Sequence, residues 1–489
     1  MSAIPFASFL LVAIGLLLAL GRWLRVPHSL VLFAGGLLST LLPLPMPAVR
    51  VDSHVITSLL LPPLLHAGAA AVSVDLLRFA LLRGVLAGMV QVVLIALAAT
   101  ALARALLPGL DPVGALLLGI AASLGDTRLL NETGQQKHLP RALTDGFVGQ
   151  GLGKPVVAVT LFTLMVGTIG QPPPAPGAAL GHFALDLFGG SALGFAVGFI
   201  MAEIRRRTQP ATTDVALSVA TPFAAALTAE ASGLPVVAVV IPAALTMSWR
   251  SVDRCTGQAV SSPDARLIER HVWAEAGIML SAALFFLMGR TLPTALDGLG
   301  QGEPARALLL ALTLVLVALL LQTGFAWVML LLPGTPEVPG RGGGRASRWR
   351  AAVVAGLASS RSVIALAIVL GMPAGLPGGE PYPGRDLVVA VTAASVVFAV
   401  LLHWMALPWA VRWARLGGTE ETAKERRLAA ATARNAQEMA PGPEVGAARG
   451  RQALAALRAE DRIGDSVRQT AEEEVELRAR ARQTDARGA

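Results

Sequence analysis

Charge is the first thing this chain is short of. Asp, Glu, Lys and Arg make up 15% of its 489 residues, against about 25% in an ordinary soluble domain, which excludes a single water-facing globule. Cysteine is nearly absent. Cys255 stands alone, so a disulfide framework and a cysteine-rich metal site are ruled out. Aromatic residues amount to 5% and do not interleave with the basic ones. The net charge of +8 therefore does not describe a nucleic-acid surface, which needs a clustered basic patch. No Ser/His/Asp set, carboxylate pair or metal-ligand spacing falls on one span face, so neither enzyme chemistry nor a resident cofactor is expected. His66, His138, His182 and His403 are scattered, and each reads as an interfacial or packing histidine. The first apolar run has no basic segment before it and is followed at once by others, so no cleavable signal is expected.

What the chain has instead is apolar sequence, 54% of it hydrophobic with a mean hydropathy of +0.62. A helix needs about 20 apolar residues to cross the hydrocarbon layer. Thirteen runs qualify, over 5–21, 28–45, 55–73, 80–107, 112–131, 139–170, 178–204, 213–232, 234–249, 267–290, 305–332, 349–372 and 386–415. Nothing alternates in the manner of barrel strands, so the expected class is an all-α polytopic membrane protein in a lipid bilayer. Arg and Lys concentrate in the loops after odd-numbered runs, among them Arg22 and Arg25, Arg205, Arg206 and Arg207, and Arg341, Arg345, Arg348 and Arg350. That bias places the N-terminus outside the cell membrane and the C-terminus in the cytoplasm. The chain then divides into a transmembrane domain, 1–416, and a charged cytosolic tail, 417–489. The tail is rich in Ala, Arg and Glu, is interrupted by Pro441-Gly442-Pro443, and is expected to be partly helical or disordered. Gly334–Arg348, with its Gly-Arg pattern, reads as a flexible linker.

Two spans carry signs of interruption. The fifth contains Ala122-Ser123-Leu124-Gly125-Asp126-Thr127-Arg128, and the twelfth contains Gly356-Leu357-Ala358-Ser359-Ser360-Arg361-Ser362. Glycine relaxes the backbone there, and hydroxyls bond the freed peptide groups. Spans five and twelve differ by seven. Two six-span repeats joined by span seven pair them in opposite directions, which is how transporters build a mid-membrane site. Ionisable groups inside spans cost at least about 2.5–3.5 kcal/mol each and point to function. Asp126, Lys154, Arg361, Glu230, Glu275 and Asp186 are such groups. Asp126 leads, because a carboxylate beside half-helix ends suits a cation or a proton. Arg361 fits the neutralisation of half-helix C-termini, because a guanidinium hardly ever deprotonates. Glu230, Glu275 and Asp186 lie towards span ends and read as structural, with Glu230 a secondary site candidate.

Several segments, in order, make the chain resemble the bacterial monovalent cation:proton antiporters, the sodium/proton exchangers. They are Leu61-Pro62-Pro63-Leu64-Leu65, Pro222-Phe223 through Ala229-Glu230, Leu284-Phe285-Phe286-Leu287-Met288-Gly289, and Arg361-Ser362-Val363-Ile364-Ala365-Leu366-Ala367. The resemblance runs over nearly all of 10–410. It implies an antiporter fold with two broken helices, exchange of Na⁺ and possibly K⁺ or Li⁺ for protons, a role in pH and sodium homeostasis, and a homodimer. The ion/proton site it implies takes in Asp126, Thr127, Gln150 and Lys154, supported at the breaks by Gly125, Ser359, Ser360 and Arg361. The departures from the family pattern fall at that site. Gly125-Asp126-Thr127 stands for Thr-Asp-Pro, and Gly149-Gln150-Gly151-Leu152-Gly153-Lys154-Pro155 stands for Gly-Glu-Ser-Leu-Leu-Asn-Asp. The family's third-span Glu is Ala67, preceded by His66. A proline replaces the ion-binding acid, and a lysine arrives at the same depth. An Asp126–Lys154 ion pair is expected, because either charge alone is costly to bury. The same charges leave two alternatives open, a carrier of anions or organic acids and a non-transporting sensor. Pro155, with Gly151 and Gly153, suggests a kink in span six.

Overall fold

In the computed structural model, the residues described are 3–41, 53–70, 74–126, 139–170, 175–207, 211–250, 263–299, 303–332, 337–340, 346–375, 380, 382–440, 442–460 and 462–488. The fold is that of a polytopic helical membrane protein, and a helix stands at each of the thirteen expected spans. Six helices, Gly84–Leu106, Gly177–Arg207, Thr212–Ser232, Ile268–Asp297, Glu303–Leu331 and Gly384–Ala414, are long and apolar enough to cross a bilayer unaided. Of the other helices, Pro112–Ser123, Arg348–Ala358 and Val363–Leu370 are halves of the expected interrupted spans.

Helix ends follow from local chemistry. Asp111 caps Pro112–Ser123 by accepting from the Gly114 amide at 3.0 Å, and Pro112 opens that helix. Proline costs nothing in a first turn, where its missing N–H would have no partner. The third span starts as Ser53–Val55, passes through a π turn at Ile56–Leu60 and resumes as Leu61–Ala70. Pro62 and Pro63 cannot donate back into that turn, which loosens the ladder there. Pro155, by contrast, sits within one helix, Arg141–Val166, which continues past it.

The transmembrane helices pack as two groups. One holds Ala3–Leu24, His28–Leu41, Leu61–Ala70, Pro176–Arg207, Ala211–Ser232, Val236–Trp249 and Pro263–Asp297. The other holds Val74–Leu106, Pro112–Ser123, Arg141–Val166, Glu303–Leu331, Arg348–Ala358 and Gly384–Ala414. The groups meet along a seam where Pro263–Asp297 lies on Val363–Leu370 and Gly384–Ala414. Inside lipid, helices gain from close van der Waals fit rather than from leaving water, so small residues mark the contacts. Gly190, Gly194 and Gly198 let Pro176–Arg207 lie directly on Val236–Trp249. Added Cβ atoms would come within 2.6 Å of Ala238 Cβ, 2.3 Å of the Val239 carbonyl and 2.5 Å of the Ala243 carbonyl. His28–Leu41 and Pro263–Asp297 touch reciprocally. A Cβ on Gly36 would fall 2.0 Å from the Phe286 carbonyl, and one on Gly289 would fall 2.1 Å from that of Phe33.

Of the two expectations for the tail, partly helical or disordered, its described residues take the helical one. Gly418–Glu438, Pro443–Ala459 and Asp465–Gly488 are helices. They close around a core of their own, including Ala433, Leu454, Leu457, Ile463 and Val475. Glu425 accepts from the Gly464 amide at 2.9 Å, and Gln437 donates to the Val475 carbonyl at 3.2 Å. The expected linker is also tied down where it is described. Gly340 pairs with Leu416, the Gly417 amide donates to Pro339 at 2.9 Å, and Val338 is buried.

Candidate functional site

The two interrupted spans cross at their breaks. Pro112–Ser123 ends at Leu124, and Gly125–Asp126 runs extended. Arg348–Ala358 ends at Ser359, Ser360–Arg361 runs extended, and Val363–Leu370 restarts the helix. The extended pieces pair antiparallel, Gly125 with Arg361 and Asp126 with Ser360. The Ser362 amide donates to the Leu124 carbonyl at 3.2 Å. The Ser362 side chain accepts from the Ile364 amide and caps the second half-helix. Backbone groups freed by each break are thus taken up partly by the other, which is what permits non-helical chain at membrane depth. Two half-helix C-termini converge here, and their carbonyl ends favour a positive charge. The opposed direction of the two strands is the arrangement that inverted repeats require.

Span six stands beside this crossing. Arg141–Val166 packs against Gly125–Asp126 and lies along Val74–Leu106. The approach to Val74–Leu106 is close enough to need glycine on both sides. A Cβ on Gly88 would meet the Gln150 carbonyl at 3.2 Å and Lys154 Cγ at 3.4 Å, and one on Gly153 would meet Val85 Cα at 2.9 Å. Gln150 is 3% and Lys154 1% exposed, and Lys154 is among the largest side chains wholly inside the protein. Lys154 is engaged by another group of the protein. The backbone of Gly125, Asp126, Ser360 and Arg361 is described, whereas Thr127 and the side chains of Asp126, Ser360 and Arg361 lie outside the described residues. The fold thus brings span six, the helix that carries Gln150 and Lys154, against the Gly125–Asp126 strand.

In the second group, several buried polar atoms have unused bonding capacity. Gln91 Oε1, Thr160 Oγ1, Ser359 Oγ and Thr392 Oγ1 have no hydrogen-bond partner among the described residues. Gln91 and Thr392 were not singled out from the sequence. The available signal was a polar residue in the middle of an otherwise apolar span. A shallow recess opens beside the second break, lined by Gln322, Gly356, Leu357, Ser359 and His403 among others. His403 Nδ1 lies 3.0 Å from the Leu357 carbonyl. A carbonyl only accepts, so Nδ1 carries the proton and the ring caps a half-helix end.

The remaining candidates lie apart from this centre. Glu230 is exposed in the last turn of Ala211–Ser232 and accepts a hydrogen bond from Ser58 of the π turn. Glu275 is exposed, and Asp186 is half-buried one turn after His182. His66 is buried with its ring 4.4 Å from that of Trp273. A separate charged network, unforeseen from the sequence, joins span ends in the first group. Arg205 is held by Asp214 and by both oxygens of Glu269. Glu269 also accepts from Ser218, which in turn accepts from Trp273 Nε1 at 2.9 Å. In the loop between spans twelve and thirteen, Tyr382 donates to Asp111 Oδ1 at 2.7 Å. Burial, together with the Asp111 carboxylate, pushes the Tyr382 phenol above its ordinary value.

Crossed broken helices in a two-group helical membrane protein define a secondary transporter of the antiporter class. Comparison with known proteins agrees. The transmembrane sodium/hydrogen exchanger family matches residues 8–413, and the chain belongs to that family. It is 29% identical over 421 residues to an uncharacterised Na(+)/H(+) exchanger of Mycobacterium tuberculosis, covering 86% of this chain and 75% of that one. It is 21% identical over 309 residues to a sodium, potassium, lithium and rubidium/H(+) antiporter of Bacillus pumilus, covering 62% of this chain and 46% of that one. Among solved structures, the sodium proton antiporter MjNhaP1 of Methanocaldococcus jannaschii at pH 8 shares its fold. The TM-score is 0.60 at 14% identity, over 84% of this chain and 97% of that one.

Proposed function

We propose that this protein exchanges a monovalent cation, Na⁺ and also K⁺ or Li⁺, for protons, with Asp126 and Lys154 as the exchanging pair. The observation that carries the reading is the packing of the Lys154 helix against the Gly125–Asp126 strand at the crossing. With proline at position 155, no acid follows Lys154 to bind the ion. Charge compensation at this depth therefore falls to Lys154, within a low-dielectric setting that penalises any lone charge. In the resting state the ammonium neutralises Asp126. An entering cation takes the carboxylate together with carbonyl oxygens of the half-helix ends. The displaced ammonium gives its proton to water on that side and stays neutral while the cation is bound. Release of the cation on the other side draws a proton back. One cation is thereby exchanged against one proton, and the buried site never holds both positive charges.

The buried ammonium also supports a second reading, a carrier of anions or organic acids on the same fold. Proteoliposomes with an imposed pH gradient separate the two. Addition of Na⁺, K⁺ or Li⁺ is expected to collapse the gradient. Collapse by carboxylate anions, with no response to any of the cations, establishes the second reading instead. We further place the protein in the cell membrane as a homodimer, with its basic loops and its tail in the cytoplasm. The ion pair between Arg270 and tail residue Glu476 supports this placement, because it puts the tail on the side of the basic loops. Protease access in inside-out vesicles checks the orientation, and mass determination in detergent checks the dimer.

A further inference from the structure

The half-helix Arg348–Ala358 opens on Arg348, Trp349 and Arg350. Its first turn holds no acid, and Ser347 before it makes no side-chain cap hydrogen bond. The amides at a helix start, and the positive end of its dipole, favour negative charge. Two arginines in that turn run against the preference. Neither forms an ion pair among the described residues.

Tryptophans surround the turn. The Trp413 ring of Gly384–Ala414 lies edge-on to Trp349 at 4.9 Å and stacks on Trp409 at 5.8 Å. The Arg350 guanidinium carbon sits 5.2 Å from the centre of the Trp413 ring and 5.8 Å from that of Trp349. Such contacts hold an arginine in place without neutralising it. Arg350 Nε is buried and has no hydrogen-bond partner among the described residues. Trp409, Arg412 and Trp413 share one face of their helix, because residues three and four apart are neighbours there. Arg412 thus adds a third cation to the cluster. Trp349 is 50% and Trp409 59% exposed, and Trp404 and Met405 continue the exposed apolar surface one turn deeper. Half-exposed indoles beside cations are the chemistry of a membrane interface.

We infer that this cluster, where span twelve starts and span thirteen ends, is a binding site for the headgroup of an anionic phospholipid. The phosphate accepts from the guanidinium groups of Arg348, Arg350 and Arg412 and from the amides of the first turn. An acyl chain lies over Trp404 and Met405. A free phosphate satisfies the cations but leaves the adjoining exposed rings bare, whereas a phospholipid covers both. The ligand also compensates the positive start of a half-helix whose other end stands at the crossing. Assignment to the cytoplasmic leaflet rests on the orientation proposed above, whereas binding depends neither on that orientation nor on transport.

The test uses the full chain in neutral detergent, with phosphatidylglycerol as the probe and phosphatidylcholine as the zwitterionic control. Native mass spectrometry reads lipid retention, and thermal denaturation reads the stability gained. Wild type is expected to retain phosphatidylglycerol in preference to phosphatidylcholine. Arg348→Gln and Arg350→Gln are each expected to weaken that retention about fivefold. Arg350→Lys should recover only part of it, since an ammonium lacks the planar fork that stacks on indole. Arg206→Gln removes an exposed arginine elsewhere in the basic loops and should leave retention unchanged. Equal retention of the two lipids, or an equal loss in Arg206→Gln, overturns the site as unspecific charge attraction. Wild-type retention in both Arg348→Gln and Arg350→Gln overturns it outright. Full displacement by inorganic phosphate, with the same thermal gain from phosphate alone, makes the occupant a free anion and overturns the lipid assignment. A tail found on the outer side by protease access overturns the leaflet and the orientation together, while binding in detergent still decides the site.

Discussion

Both helix groups bury polar groups, and the first has unbonded atoms of its own among the described residues, at His66 Nδ1 and Arg250 Nε. The groups differ in where their polar clusters lie. In the first, Arg205, Asp214, Glu269, Ser218 and Trp273 satisfy one another near the helix ends. In the second, Lys154 and Gln150 are buried beside a break. In the same group, Gln91, Thr160, Ser359 and Thr392 have oxygens that lack hydrogen-bond partners among the described residues. A saturated network holds a structure still, because loss of any member leaves a buried charge uncompensated. Spare acceptors at mid-span are costly to keep and useful only if something else occupies them in turn. On the proposed reading, anchoring falls to the first group and ion handling to the second.

Four substitutions sharpen or break that contrast, in descending order of effect. Asp126→Asn is expected to abolish the cation response in proteoliposomes, a fall of at least about 100-fold if the carboxylate is the ligand. A folded variant with full activity would remove Asp126 from the site. Arg205→Met strands Asp214 and Glu269, so unfolding stability should drop by about 3–5 kcal/mol, read by thermal denaturation in detergent. If transport is lost while stability holds, the anchoring role assigned to the first group is wrong. Lys154→Met should keep the fold but uncouple proton movement, lowering exchange about tenfold and flattening its pH profile. An unaltered pH profile excludes the lysine from coupling. The smallest effect belongs to Tyr382→Phe, which removes one hydrogen bond and should lower unfolding stability by about 1 kcal/mol, read by the same thermal denaturation.

Tyr382 also gives a pH test, because it is the chain's single tyrosine and its absorbance reports on it alone. Its phenol is raised in the folded protein by burial and by Asp111. A raised acid binds its proton more tightly when folded than when unfolded. The associated stability is therefore fully present below about pH 10, the ordinary phenol value, and is lost as pH rises through the higher folded value. Asp111→Asn should bring the absorbance midpoint down. No change would show that burial alone sets it.

Much of this architecture was legible in the sequence, because lipid imposes length and apolarity on every span. The breaks were legible for the same reason. Gly125-Asp126 and Ser359-Ser360-Arg361 cannot continue an apolar helix without cost. What stayed hidden depends on partners far apart in the chain. Nothing local in Arg205 announces Glu269, and nothing in Ser58 announces Glu230. The bundle core was masked by alanine, since Ala429, Ala433 and Ala447 carry little apolar signal in so charged a tail. The glycines after Leu332 suggest slack, yet Val338 accepts from the Ala346 amide, Pro339 accepts from the Gly417 amide, and Gly340 pairs with Leu416.

The reciprocal glycine contact between His28–Leu41 and Pro263–Asp297 has a mechanical consequence. With Gly36 seated on the Phe286 carbonyl and Gly289 on that of Phe33, neither rod has room to rotate or slip against its mate. Those two spans behave as a single keel. Any stroke of the transport cycle is then measured against that keel, and its displacement has to be taken up along the opposite side of the seam.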